Sequence, residues 1–178
     1  EGEKIAIGFE DAHQVSIVSG EDLAFLYSPA VTDISDGSFN SVAWSESGQF
    51  IFGAGSVRVE GTHTIRKWSE AGRGRSQDFP TAKNTILSLA TLKNGGVAFG
   101  AAGASFGWMN DQDLPMFINQ AALADFRDNH QGLLLSQDGS VVQFAYAQFG
   151  KEPAQFSIDT RVLSVPPPTN SSLSPPLQ

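Results

Sequence analysis

Five consecutive residues, Gly103-Ala104-Ser105-Phe106-Gly107, fit the G-x-S-x-G spacing that presents a serine nucleophile on a sharp turn. Asp111 or Asp125, and then His130, follow in the order of an acid and a base. Such a constellation would support acyl transfer. It needs a strand before the serine and a helix directly after it. Here the turn runs into Trp108 and "MNDQDLP", which cannot make a long helix. In a chain with 18 glycines the pattern is cheap, so Ser105 is expected to open a strand and not to attack a carbonyl. Metal chemistry fares no better. His13, His63 and His130 lie far apart, there is no cysteine, and no histidine has a ligand at close spacing. The acid pairs in "TDISDG" and "NDQDLP" lack the spaced oxygens and terminal glutamate of a calcium loop, and read as turn caps. "EAGRGRSQ" is basic and glycine-rich, and could touch an anion. No phosphate-binding glycine motif is present, so no cofactor and no metal are expected.

The elements that would position these residues are short strands. "SVAW", "QFIFGAG" and "TIRKW", within Ser41 to Glu70, are apolar runs joined by a Ser/Gly turn and a polar loop. The phrase recurs. Gly48, Phe52 and Gly53 return as Gly95, Phe99 and Gly100, and Trp68 returns as Trp108. A further step carries Val97-Ala98-Phe99 to Leu133-Leu134-Leu135 and places Ala124 to Phe126 on an inner strand. Backwards, Phe50-Ile51-Phe52-Gly53 maps onto Ile5-Ala6-Ile7-Gly8. Hairpin-rich units at a period of roughly forty residues indicate a β-propeller. The expectation is an all-β chain of about four four-stranded blades, near residues 1–38, 39–80, 81–119 and 120–165. The first blade is expected to lack its inner strand, so the chain is expected to be part of a larger ring. Residues 166–178 hold most of a proline-rich run and read as a linker or disordered tail.

The chain is 178 residues long with a net charge of −8, which argues against nucleic-acid binding. The charge is uneven: residues 1–40 hold eight acids against Lys4, while residues 58–83 hold six bases against three acids. No apolar run approaches the roughly 20 residues of a membrane span, and the acidic start is not a leader peptide. A cytoplasmic location with no membrane partner is the expectation.

"SVAWSESGQFIFGAG", "TIRKWSEAG" and "ILSLATLKNGGVAFGAA" resemble blades of the WD-repeat propeller family, in the divergent bacterial form found beside caspase-like peptidase or other signalling domains. Trp68-Ser69 stands at the family's Trp-Asp position; the Gly-His pair that opens a repeat is missing throughout, and with it the polar tetrad. The resemblance implies a non-enzymatic scaffold or sensor module of a multidomain protein, whose partner is a protein or peptide. It also implies that the rest of a longer chain, or a second copy, completes the ring. Partner residues in this family lie on variable loops, which points to Arg58, Glu60, His63, Arg73 and Arg75; "SVRVEG" reads equally as a small hairpin. The rival reading is a propeller with a ligand-binding or hydrolytic site in its central channel.

Overall fold

The structure is a computed structural model that describes residues 2–93, 95–102, 105–109, 115–120, 133–136, 140–144, 154–157 and 163–164. Among these residues the regular structure is antiparallel strand, apart from one 3-10 turn at Glu70–Gly72. Sheet 1 runs β1 (Lys4–Gly8), β2 (Val15–Ser19), β3 (Phe25–Tyr27). Sheet 2 comprises β4 (Ser41–Trp44), β5 (Ile51–Ala54), β6 (Arg58–Val59), β7 (Thr62–Trp68) and β8 (Ser76–Ala82). Its long strand β7 carries β5 and then β6 on one edge and β8 on the other. Sheet 3 runs β9 (Ile86–Thr91), β10 (Val97–Ala101), β11 (Ser105–Met109), β12 (Pro115–Gln120). Sheet 4 runs β13 (Leu133–Leu135), β14 (Val141–Phe144), β15 (Ala154–Ser157), β16 (Leu163–Ser164). None of the four sheets closes on itself.

Sheets 1, 2 and 3 stack in chain order because sheet 2 has an apolar face for each neighbour. Alternation along β2 sends Val15 and Ile17 towards sheet 2, where they meet Ile51, Phe39 and Trp68. The opposite face of sheet 2 offers Phe52, Ile65 and Phe79 to Val97, Phe99 and Met109 of sheet 3. The first strands β1, β4, β9 and β13 lie side by side along the stack. Gly53 is required by this packing. A Cβ there would stand 2.8 Å from the Trp68 ring. Phe52, Trp68, Phe99 and Trp108 are all buried.

The structure corrects the repeat register in three places. Trp68 pairs with Ile51, whereas the residue pairing with the corresponding Val97 is Met109, not Trp108. Trp108 pairs with Ala98 and so faces the other side of its sheet. The cause is the preceding turn, which spans Ser45 to Phe50 in sheet 2 but only Leu92 to Gly96 in sheet 3. One residue fewer turns every later side chain to the opposite face.

The second correction concerns β1. It takes the first place in sheet 1, beside β4, so the inner position of that sheet is filled. The fully buried strand is β2, and β1 is half-exposed, although the two are equally apolar in sequence. Among the described residues it is a fourth strand that sheet 1 lacks instead. Residues 28–38 do not return to it because sheet 2 captures them. Trp68 Nε1 donates to Ala30 O at 2.8 Å, Arg66 holds Asp33, and Pro29 and Ile34 are buried.

The third correction concerns the last unit. Ser45 N–H donates to Phe50 O at 2.9 Å, and its hydroxyl accepts the Phe50 N–H at 3.0 Å. Ser136 and Val141 repeat both bonds, at 2.9 and 3.0 Å. The same pair of bonds thus flanks the β13–β14 connection, and among the described residues Leu133–Leu135 is the first strand of its sheet, where the repeat makes it a second strand. Ala124 to Phe126 and residues 165–178 lie outside the described residues.

Candidate functional site

The five expected contact residues fall at opposite ends of β7. Arg58 and Glu60 sit on the β6–β7 hairpin, both exposed. Glu60 and Gly61 both have positive φ, 50° and 81°, which is the two-residue primed turn that matches strand twist. "SVRVEG" is thus a hairpin. Arg73 and Arg75 belong to the connection after Trp68, a distance of roughly 20 Å away at about 3.3 Å per strand residue. One ligand of ordinary peptide width does not touch both groups. The two groups stand at opposite ends of sheet 2.

His63 is 2% exposed and does not reach solvent. Its Nε2 accepts from Arg58 Nε at 3.2 Å, which leaves the proton on Nδ1, facing Gly55 O at 3.3 Å. Gly55 O also accepts the Ile86 N–H at 3.0 Å, so the imidazole ties the hairpin to the start of sheet 3. Burial, with the nearby Arg58 charge, holds the imidazole below its ordinary value of 6.5, although the Gly55 carbonyl opposes this. The folded state therefore keeps His63 neutral, and the unfolded chain takes up a proton first. Stability is full above pH 6.5 and declines as the pH falls from there towards the folded-state value. In His63→Gln this decline is expected to be smaller, which thermal melts from pH 7.5 to about 5 would show. An identical decline in both proteins would refute it.

At the other end, Arg73 stacks on Tyr27, its guanidinium carbon 4.2 Å from the ring centroid, and the Tyr27 hydroxyl donates to Ala71 O at 2.6 Å. The backbone amides of "EAGRGRSQ" are largely engaged within the fold. Ala71 N–H donates to Gln49 O, Gly72 and Gly74 N–H to Ser69 O, and Arg73 N–H to Glu70 O. Those amides are used inside the fold. What remains for a partner is side-chain charge, from Arg75 and the open face of Arg73.

The strongest electrostatic feature was not singled out by sequence. Arg66 is 1% exposed and makes bidentate pairs with both Asp33 (2.7 and 2.8 Å) and Asp78 (2.7 and 2.6 Å). Burial alone would pull its pKa down, but the two carboxylates overcome this and raise it, so the guanidinium stays charged. Every one of its reaching nitrogens is engaged, so the cluster fixes the 28–38 crossing and is not a ligand site. Its sequence signal was Arg66 standing between Thr64 and Trp68 on the inward alternation of a strand.

Ser105 opens β11, 4% exposed, opposite Ala101 and Gln120. Asp111, Asp125 and His130 lie outside the described residues. Among the described residues no group of three His, Asp or Glu could hold a metal, and no helix is long and apolar enough to cross a membrane. The first strands β4 and β9 carry no titratable side chain along the line where they meet. A scan of protein-family models and a search of curated proteins find no match to the chain. The likeness to WD-repeat blades therefore rests on the sequence pattern quoted above.

Proposed function

We propose that the chain is an interaction scaffold: a run of WD-repeat-like propeller blades within a larger ring, binding protein or peptide through the ends of its sheets. The observation that carries this reading is the stacking. Sheets 1, 2 and 3 pack face to face in chain order, and the first strands β1, β4, β9 and β13 lie side by side, as blades around an axis do. The exposed Arg58–Glu60 hairpin and the Arg73–Arg75 loop then stand on opposite faces of the ring. The remaining blades come from a longer polypeptide or a second copy. The alternative, a site in the channel, finds little support in first strands as bare as "SVAW" and "ILSLAT".

Electron-microscope class averages of the purified protein test the architecture. Rings with a central hole, closed or arc-shaped, are the expected outcome; a flat two-layer sandwich would overturn it. The absence of catalysis has its own test. A fluorophosphonate probe is expected to leave Ser105 unlabelled, since the hydroxyl is buried within a strand ladder. Stoichiometric labelling there would replace the scaffold with a hydrolase.

A further inference from the structure

Three large apolar side chains within four residues are left in solvent on the edge of sheet 1. Leu23 is 66% exposed, Phe25 64% and Leu26 42%. Leu23 also sits at φ 60°, in the left-handed region where leucine is uncommon, and no packing explains why an apolar residue is held there. Among the described residues β3 pairs only with β2, so its other edge is open. Sheets 2, 3 and 4 each have a further strand at this place: β8, β12 and β16. Among the described residues none supplies one for sheet 1, and residues 28–38, which follow β3, are anchored to sheet 2 by Ala30, Asp33 and Ile34. An open, apolar strand edge is the feature that native sheets normally cover or charge.

We infer that this edge is a docking site for an extended segment of a partner protein, which adds as the fourth strand of sheet 1. The inference rests on the scaffold reading and names a site on it. Strand addition supplies main-chain hydrogen bonds, and alternate side chains of the segment lie against Phe25 and Leu23. Charge decides the rest of its chemistry. Glu21 and Asp22 stand exposed at the start of β3, within a segment, residues 1–40, that holds eight acids against Lys4. The fourth strand of each other sheet is antiparallel to the third. A segment adding in that sense brings its C-terminal end beside Glu21 and Asp22. The occupant is therefore a β-prone apolar segment followed by Lys or Arg. A second copy of this chain is a poorer occupant, since it would bring a second such acidic stretch to the same place.

Three fluorescein-labelled peptides test this with the 178-residue protein: Val-Thr-Val-Thr-Val-Lys-Lys, the same with Glu-Glu in place of Lys-Lys, and Lys-Lys-Val-Thr-Val-Thr-Val. Anisotropy is expected to show the first binding at least about tenfold more tightly than either other, with the advantage shrinking as salt rises. Hydrogen exchange is expected to slow at Phe25–Tyr27 when it binds. Phe25→Ser and Leu23→Ser are exposed substitutions that leave the circular dichroism unchanged, and each is expected to weaken binding about tenfold. No binding, equal binding of all three peptides, or protection elsewhere would overturn the inference. So would light scattering that finds a dimer dissociated by Phe25→Ser, which would give the edge to a second copy. Ring-shaped particles would survive any of these failures, so the scaffold reading is judged separately.

Discussion

Trp68→Ala is expected to lower the stability of the protein by about 3–5 kcal/mol, the range for truncating a buried aromatic. Trp68 is fully buried, packs edge-on against Phe39 at 5.2 Å between centroids, and joins the core shared by sheets 1 and 2. Its Nε1–H also satisfies Ala30 O, which anchors the crossing segment. Trp68→Phe separates the two roles. It keeps most of the ring and leaves the carbonyl without its donor, at a cost of roughly 1–3 kcal/mol. Urea titrations of the three proteins give the ordering wild type, Phe, Ala. A Trp68→Ala midpoint equal to wild type would mean that sheets 1 and 2 do not share this core.

The second large effect is expected at Asp78. Its carboxylate is one-fifth exposed and engages Arg66 across the β7–β8 ladder, where the two residues are directly opposed. Asp78→Ala leaves a buried guanidinium with one carboxylate in place of two. The expected loss is about 3 kcal/mol, the low end of the range for breaking a buried pair. Asp33 binds the same guanidinium but is 62% exposed, so Asp33→Ala is expected to cost under about 1 kcal/mol. Equal losses in the two variants would show that exposure does not govern this pair. Acid gives a second readout. The Arg66 hydrogen bonds hold the Asp33 carboxyl below its ordinary value of 3.8. Its contribution is complete above that value and disappears as the pH falls through the lower folded-state value.

Strand positions in the middle of the chain were legible because their residues decide them locally. "SVAW", "QFIFGAG", "TIRKW" and "GGVAFGAA" coincide with β4, β5, β7 and β10, each an apolar run bounded by turn residues. The face each strand presents was less legible. Face depends on parity, and a turn shortened by one residue moved Trp108 away from the place of Trp68. Strand rank was lost in sheet 1 for a different reason. Ile5-Ala6-Ile7 and Val15-Ser16-Ile17-Val18 are alike in apolarity, and only the neighbours they acquire make one buried and the other an edge. The contact residues illustrate the same limit. Loop composition pointed to Arg58, Glu60, Arg73 and Arg75, all exposed, but could not foresee that seven residues of strand separate the two pairs. His63 looked identical in sequence to a surface histidine. Its burial follows from the hairpin closing over Val57 and Ala82.

The neighbour-to-neighbour path of the chain also bears on how the molecule is made. In every sheet each main strand bonds to strands close to it in sequence, so little loop entropy is lost before a ladder forms. A chain emerging from the ribosome can complete sheet 1 as a hairpin meander before β4 exists. It then waits with one apolar face open until sheet 2 arrives and locks residues 28–38 in place. Assembly is vectorial, and its vulnerable interval is the time between consecutive sheets. Pauses in translation that fall after Trp68, when both halves of the first core are present, would be harmless; pauses before Ser41 would leave Val15 and Ile17 uncovered and prone to misassociation.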